Sequence, residues 1–319
     1  MIATLQENRV FRTYLGGKHI DTFYGREKGE DSYFPEDWTA SLIKAYNPGR
    51  EAIVEGYGRL ADGSEVRNLQ GIELRCLVKL LDSAERLVIQ VHPTKEFAKE
   101  YFASDYGKTE CWYFLDCDED ACVYLGFKKG ITPEAWRDVF DRQDIPRMLE
   151  MLHRIPVKKG DCVFVDGGLP HAIGKGCFMI EIQEPSDLMG VTERKTPSGR
   201  EIADSKIHGG IGIDNMMKMF HYEGFDLSDV LKAHFQKPRM CDTGVRCLVD
   251  GERTEKFSLY ELSEGADFCT EITSGVIIVT EGEGMLNGIS VRRGDRLLYC
   301  DEQKLHLSSN THCKAILCC

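Results

Sequence analysis

Gln90 and His92 stand two positions apart in the segment RLVIQVHPTKEF (86–97), in an apolar run that stops at Pro93. Alternate side chains of an extended segment project to one face, so the pair offers an amide oxygen and an imidazole nitrogen on the same side. Such pairs are also common as ordinary solvated or hydrogen-bonded side chains. The pair alone therefore leaves open both a plain strand and one face of a metal site.

Two further segments carry ligand-type side chains. Glu110 opens the apolar run ECWYFL, with Lys108 two positions before it, although such a pair could equally form a surface salt bridge. His171 stands in GDCVFVDGGLPHAIGKG, where Gly and Pro residues mark tight turns around one imidazole. Together with His92 they form a His–Glu–His set, the composition of catalytic zinc sites that keep one position open.

The elements that must position these ligands are predicted to be short strands. Alternating and β-branched runs between Gly, Asp and Asn turns indicate an antiparallel sandwich or barrel. The predicted strands are residues 72–81, 85–93, 110–117, 121–127, 161–168 and 177–183. Apolar residues at helical spacing predict helical inserts over 94–104 and 132–155. Three separated strands can share one metal only if they lie side by side, as they do in a barrel.

After about residue 240 the pattern returns to strands alone. We therefore predict a catalytic domain over residues 1–238 and a smaller C-terminal β domain over 239–319, divided near the Lys237–Pro238 break. His306 lies one position beyond the place that a second metal turn would need, and no His-x-His precedes it. The C-terminal domain is expected to be free of metal.

Composition excludes several functional classes. Forty basic against fifty-two acidic residues give a net charge of -12, which opposes nucleic-acid binding. No apolar stretch approaches the roughly 20 residues of a membrane span. The 13 cysteines are irregularly spaced without a Cys-x-x-Cys pair, and no charged-then-apolar leader follows Met1, so reduced thiols in a cytoplasmic protein are expected.

Read in order, these segments resemble the signature blocks of the zinc-dependent, class I mannose-6-phosphate isomerases of the cupin superfamily, in their short bacterial-type form. QVHPTKEFA is similar to the family's Gln-x-His-Pro block and GKTECWYFL to its Gly-Lys-x-Glu block. LPHAIGKGCFMIEIQEPSD resembles its third zinc-ligand block, and PEDWTAS (35–41) its early Glu-x-Trp-x-x-Ser motif. The resemblance implies a mainly β fold: a cupin-type jelly-roll β-barrel with helical inserts and a smaller, degenerate cupin domain at the C-terminal end.

The resemblance also implies roles for individual residues. One Zn²⁺ per chain would be held by Gln90, His92, Glu110 and His171. Catalytic roles would fall to Lys108, Glu181, Asp187 and Arg194, and substrate binding to Trp38, Ser41 and Arg200. The implied reaction interconverts mannose 6-phosphate and fructose 6-phosphate by enediol proton transfer, so the expected partner is a small-molecule sugar phosphate. From the resemblance together with the composition, we expect no nucleic-acid or membrane partner, and we predict a monomer or weak homodimer.

Two departures from the family pattern bear on the substrate. Four residues beyond Asp187, where the family has an arginine proposed as catalytic, this chain has Val191, and Arg194 follows three residues later. Val88 stands where the family usually has serine. The cations available for a phosphate are concentrated in one segment: Arg194, Lys195, Arg200 and Lys206. Two alternatives therefore stay open, namely a cupin isomerase of another sugar or sugar phosphate, and a non-catalytic sugar-binding metal cupin.

Overall fold

The computed structural model of the chain describes residues 1–27, 29–269, 273–301 and 304–319. Up to residue 150 its elements are β1 (Ile2–Thr4), β2 (Arg9–Val10), α1 (Lys18–Phe23), β3 (Glu36–Thr39), a 3₁₀ turn (Val66–Asn68), β4 (Leu77–Ser83), β5 (Gln90–Val91), α2 (Lys95–Phe102), β6 (Glu110–Cys117), β7 (Cys122–Phe127), α3 (Pro133–Asp141) and α4 (Ile145–Glu150). From there to residue 238 they are β8 (Leu152–Pro156), β9 (Cys162–Val165), β10 (His171–Ile173), β11 (Cys177–Gln183), β12 (Gly190–Val191), α5 (Asp204–His208), α6 (Ile213–Met217) and α7 (Leu227–His234).

The remaining elements are all strands: β13 (Arg239–Asp242), β14 (Val245–Val249), β15 (Leu259–Ser263), β16 (Ala266–Cys269), β17 (Ser274–Leu286), β18 (Ile289–Arg292), β19 (Arg296–Cys300), β20 (Lys304–Ser308) and β21 (Cys313–Cys318). The prediction of a mainly β fold with helical inserts is thus confirmed. No helix in the described part of the chain is long and apolar enough to cross a membrane.

Two antiparallel sheets in the first part of the chain face each other across a common core. One has the order β2-β3-β4-β11-β6-β9 and the other the order β12-β5-β10-β7-β8. Phe114 and Met179 of the first sheet and Leu125 and Ile173 of the second belong to the same buried apolar cluster. In the described residues the sheets are joined by packing rather than by one continuous hydrogen-bonded ladder.

Among the described residues, the nine strands after residue 238 and one strand from the start of the chain form a third sheet. β1, from the start of the chain, pairs with β19 and so belongs to this sheet. A further apolar cluster includes Leu80 and Ile180 of the first sheet together with Leu259 and Ile278 of the third. The two parts therefore share buried surface, and the division between residues 238 and 239 remains a prediction.

The structure corrects two of the predicted elements. Residues 132–155 do not form one helix: α3 ends before Gln143, whose φ of 52° is left-handed, and β8 follows α4. The strand predicted over 85–93 is reduced to two residues. Before it, the backbone N–H of Ile89 donates to the Glu193 carboxylate at 2.7 Å, so this group bonds to a side chain instead of a neighbouring strand.

Candidate metal centre and active site

His92, Glu110 and His171 meet in the interior at one end of the two facing sheets. All three side chains are fully buried, and their ligand atoms lie within 4.8 Å of one another. Glu110 lies between the two rings: its Oε2 is 3.3 Å from His92 Nε2 and its Oε1 is 3.3 Å from His171 Nε2. No other group of three such side chains is this close within the described residues.

Strand register and backbone hydrogen bonds bring the three segments together. His171 is directly opposite Gln90 in the β10–β5 pair, and Glu110 begins β6 in the facing sheet. The His92 carbonyl accepts from the N–H of Gly168 at 2.7 Å, and the Pro93 carbonyl accepts from the N–H of Lys108 at 3.0 Å. The turn after His92 is thereby bonded to the two segments that carry the other ligands.

Two glycines permit this close approach. A Cβ atom at Gly107 or at Gly167 would lie 2.7 or 2.8 Å, respectively, from the carbonyl oxygen of Pro93. Real side chains do not tolerate such contacts with backbone atoms. These glycines therefore allow the chain before Glu110 and the chain before His171 to lie against the turn after His92.

Hydrogen bonds at the far side of each ring fix the histidine tautomers. His92 Nδ1–H donates to the Leu188 carbonyl at 3.0 Å, and His171 Nδ1–H donates to the Leu169 carbonyl at 2.9 Å. Burial, then the nearby Lys108 ammonium, lowers the pKa of His92 to about 4, and burial also lowers the pKa of His171. Both rings are therefore neutral, as metal-bound histidines require. The Nε2 lone pair of His92 accepts from Lys108 Nζ at 2.8 Å, and that of His171 accepts from the Gln90 amide nitrogen at 3.2 Å.

The Glu110 carboxylate completes a donor set suited to a divalent cation. Burial acts to raise its pKa, but Lys108 and the two histidines outweigh burial and hold the pKa well below its usual value. Neither carboxylate oxygen has a hydrogen-bond partner among the described residues; Lys108 Nζ lies 3.0 Å from Oε2 without hydrogen-bond geometry. The Gln90 amide nitrogen lies 3.2 Å from His171 Nε2, and a half-turn of the amide would place its oxygen at this position instead. A buried, ionised carboxylate between two neutral imidazoles fits Zn²⁺.

A pocket opens beside this cluster. Its polar lining includes Gln90 and Lys108, the cations Arg12, Lys79, Arg86 and Lys206, and the carboxylates Glu36, Glu181 and Asp187. Arg12 donates to both oxygens of Asp187 at 3.2 Å and to Glu36 Oε2 at 2.9 Å. Lys79 Nζ donates to Glu181 Oε1 at 2.8 Å.

These ion pairs keep the pocket carboxylates charged in spite of their burial. Burial acts to raise the pKa of Asp187, but Arg12 and then Lys79 outweigh it and lower that pKa. Burial likewise opposes ionisation of Glu36, whose pKa is nevertheless low because Arg12 and Lys79 lie close. Both acids therefore act in the pocket as hydrogen-bond acceptors.

Three of the predicted catalytic residues lie together in this pocket, namely Lys108, Glu181 and Asp187. Arg194 does not: it pairs with Asp204 at 3.1 Å, and its side chain is nearly half exposed. Val191, opposite Gln90 in the β12–β5 pair, presents an apolar side chain to the pocket.

The predicted substrate-binding residues lie outside the pocket lining. Trp38 is fully buried and donates from Nε1 to Glu36 Oε2 at 2.6 Å, and the Ser41 hydroxyl donates to the Ile43 carbonyl at 3.2 Å. Arg200 packs over the ring of Tyr33, 4.4 Å from its centroid. The structure thus gives Trp38 an indirect link to the pocket through Glu36, and the proposed roles of Ser41 and Arg200 stay predictions.

Sequence reasoning missed Arg12 and Lys79. Lys79 had a usable signal, because it is the one cation in the buried strand LVKLLDS, and buried lysines are rare unless paired. Arg12 lies in a short, irregular segment whose pattern gives no such signal.

No family model matches the chain. Among curated sequences, the chain is 37% identical to a mannose-6-phosphate isomerase of Bacillus subtilis over 139 residues, which is 44% of this chain and 42% of the relative. It is 38% identical to a mannose-6-phosphate isomerase of Streptococcus mutans over 130 residues, 40% of either protein. These alignments span less than half of each relative.

Solved structures match over the full length. The crystal structure of the Bacillus subtilis mannose 6-phosphate isomerase superposes with a TM-score of 0.73 at 21% identity, covering 100% of this chain and 99% of that one. A mannose 6-phosphate isomerase bound with zinc and yttrium has a TM-score of 0.69 at 12% identity, over 99% and 98% of the two chains. Over its full length the chain therefore has the fold of these mannose-6-phosphate isomerases, and over less than half of its length its sequence is similar to theirs.

Proposed function

We propose that this relative of the mannose-6-phosphate isomerases is itself a metal-dependent aldose–ketose isomerase that interconverts mannose 6-phosphate and fructose 6-phosphate. The observation that carries the proposal is the buried His92–Glu110–His171 cluster, which adjoins a pocket that also contains Lys108 and paired carboxylates. Relatives that bear the isomerase name, 37% and 38% identical over their matched segments, support the same reaction.

The metal is proposed to be one Zn²⁺ per chain, held by His92, Glu110 and His171 with Gln90 as an additional oxygen ligand. The choice of zinc is supported by the donor set and by the zinc-bound structural neighbour. When bound, the ion supplies Lewis-acid stabilisation of negative charge on the substrate oxygens and no redox chemistry.

The chain's own residues supply binding and proton transfer. Aldose–ketose isomerisation moves a proton between C1 and C2, which requires a group that holds a proton within reach of both carbons. Lys108 Nζ borders both the ligand cluster and the pocket, and we assign this role to it. Glu181 and Asp187, fixed by Lys79 and Arg12, accept hydrogen bonds from sugar hydroxyls and so orient the substrate.

A coupled assay for fructose 6-phosphate formation from mannose 6-phosphate tests the function. We expect turnover that a chelator abolishes and Zn²⁺ restores, with one metal per chain by elemental analysis. Lys108→Met should retain the metal and lose about 10²–10⁴-fold in kcat. Lys218→Met, at an exposed site outside the pocket, is the control and should be unaffected. Near-normal turnover of the zinc-loaded Lys108→Met protein would exclude Lys108 as the proton carrier.

A second candidate function is isomerisation of a different aldose or aldose phosphate. Val88, Met189 and Val191 give the pocket an apolar wall, and a less polar sugar would fit such a wall better than a fully hydroxylated one. The same assay run across aldoses ranks the substrates by kcat/KM. Bound zinc without turnover on any of them would favour a sugar-binding protein. We propose a monomer or weak homodimer as the oligomeric state, which sedimentation analysis can test.

A further inference from the structure

Five cations line the pocket, and four of them are already neutralised. Arg12 lies 2.9 Å from Glu36, Lys79 2.8 Å from Glu181, Arg86 2.6 Å from Glu193 and Lys108 3.0 Å from Glu110. The fifth, Lys206, is only 8% exposed and has no ion pair or side-chain hydrogen bond within the part of the chain that the structure describes. A buried ammonium without an ion pair is costly, because it has lost its contacts with water and regains only part of that free energy from carboxylates that it does not contact.

Lys206 is held in this position by the fold. It lies on α5, which packs against β12, the strand that pairs with the Gln90 strand. The acid that attracts Lys206 most strongly, Asp187, already accepts from both terminal nitrogens of Arg12 and from the N–H of Tyr46 at 2.9 Å. Among the described residues, Lys206 therefore has no carboxylate that is free to pair with it.

A second cavity adjoins the pocket at Lys206. This second cavity, lined by Tyr46, Phe102 and Leu188, shares Asp187, Met189 and Lys206 with the first. Gln90 and Lys108 line the first cavity but not the second. A ligand that placed its reacting carbons beside the His92–Glu110–His171 cluster and an anionic group where the two cavities adjoin would fit both the cluster and the unpaired ammonium of Lys206.

We propose that Lys206 binds the phosphate of the substrate and makes the site selective for a phosphorylated over a neutral aldose. The inference rests on the proposed isomerase function for its kinetic test, but not for its binding test. It replaces Arg194 and Arg200, which lie outside the pocket lining, with one buried ammonium as the main phosphate contact. The low pKa of Lys206, about 8, agrees with a charge that lacks a partner until a ligand arrives.

The kinetic test compares Lys206→Met, Lys206→Arg and the control Lys218→Met on two substrates, mannose 6-phosphate and unphosphorylated mannose. Loss of one hydrogen bond to a charged group should lower kcat/KM for mannose 6-phosphate by about 10–100-fold in Lys206→Met, mainly through KM. Arginine should restore most of the loss. Activity on mannose should stay within about twofold of wild type, because mannose carries no anion to lose. An equal loss on both sugars, or no loss on either, would overturn the proposal.

The binding test does not depend on turnover. Inorganic phosphate is titrated calorimetrically into the zinc-loaded wild type, Lys206→Met and Lys218→Met proteins. At least about tenfold weaker binding in Lys206→Met alone supports the proposal. Equal binding in all three proteins, or no binding by the wild type, overturns it. Lys206-dependent phosphate binding without isomerase activity on any hexose phosphate would reject the proposed function and retain the anion site.

Discussion

Replacement of Lys206 by methionine should stabilise the ligand-free protein at neutral pH. Burial, and then repulsion from Arg12, lowers the pKa of Lys206 from 10.5 to about 8, and attraction from Asp187 and Glu36 only partly offsets these effects. One pKa unit corresponds to about 1.4 kcal/mol, so the charged lysine costs the folded state about 3 kcal/mol. Methionine fills a similar volume without a charge and should recover about that amount.

The pH dependence of this gain has a definite sign. Between pH 8 and 10.5 the unfolded chain binds a proton at this lysine that the folded chain has released, so the wild-type free energy of unfolding rises with pH. The full cost is present below about pH 8, and it is absent above the unfolded pKa, where the lysine is neutral in both states. The advantage of Lys206→Met should therefore be largest near neutrality and fade toward pH 10.5.

Urea unfolding of the zinc-loaded wild type and variant, in phosphate-free buffer at about pH 7 and about pH 10, measures this difference. Lys218→Met, which removes an exposed lysine, serves as the control and should show no such pH dependence. Inorganic phosphate should stabilise the wild type more than the variant and so narrow the gap. The view that Lys206 is a buried charge without an ion pair would be refuted by a variant that is less stable than wild type near pH 7. It would also be refuted if the free energy of unfolding of the variant differed from that of wild type by the same amount at both pH values.

Three further substitutions test other parts of the structure. Glu110→Gln removes the only charged donor between the two imidazoles and should abolish stoichiometric metal in elemental analysis while circular dichroism stays native; full metal retention would contradict the assigned ligand set. Arg12→Met removes the guanidinium that hydrogen-bonds two buried carboxylates, Glu36 and Asp187, and should lower the free energy of unfolding by about 3–5 kcal/mol in urea titrations; a loss under about 1 kcal/mol would argue against the network. Gly168→Ala should lower the melting temperature more than Gly130→Ala. The two glycines have nearly the same φ, 86° and 85°, but only a Cβ at Gly168 would lie 2.6 Å from a neighbouring imidazole. Equal losses would show that the imidazole moves away at no cost.

The ligand cluster could be predicted from the sequence because each ligand lies in a local pattern. Gln90 and His92 share one face of an extended segment, and the turn residues around His171 show that its position is fixed. These are relations over a few residues, and the structure brings the three segments that carry the predicted ligands together as expected. The division of residues 132–155 into two helices and a strand also depends on local structure. It was not predicted because glutamine is not a residue type that indicates the left-handed conformation seen at Gln143.

The charges of the pocket could not be predicted in the same way, because their pairing joins distant parts of the chain. Arg12 and Asp187 are 175 positions apart, and Lys79 and Glu181 are 102 apart. No short segment of the sequence shows that these charged side chains pair. The free-energy cost of burying each charge can be judged only when its partner is known.

The density of cations between residues 194 and 206 was a poor guide for the same physical reason. An exposed cation on a loop finds an acid nearby in the sequence: Arg194 pairs with Asp204, and Lys195 with Glu201. Such pairs are worth little and say nothing about a ligand. Lys206, a few positions later, is turned inward by α5 against a strand and is left unpaired among the described residues. Of the cations in this segment, a substrate anion would therefore gain most at Lys206, where the folded chain has removed water without supplying a carboxylate.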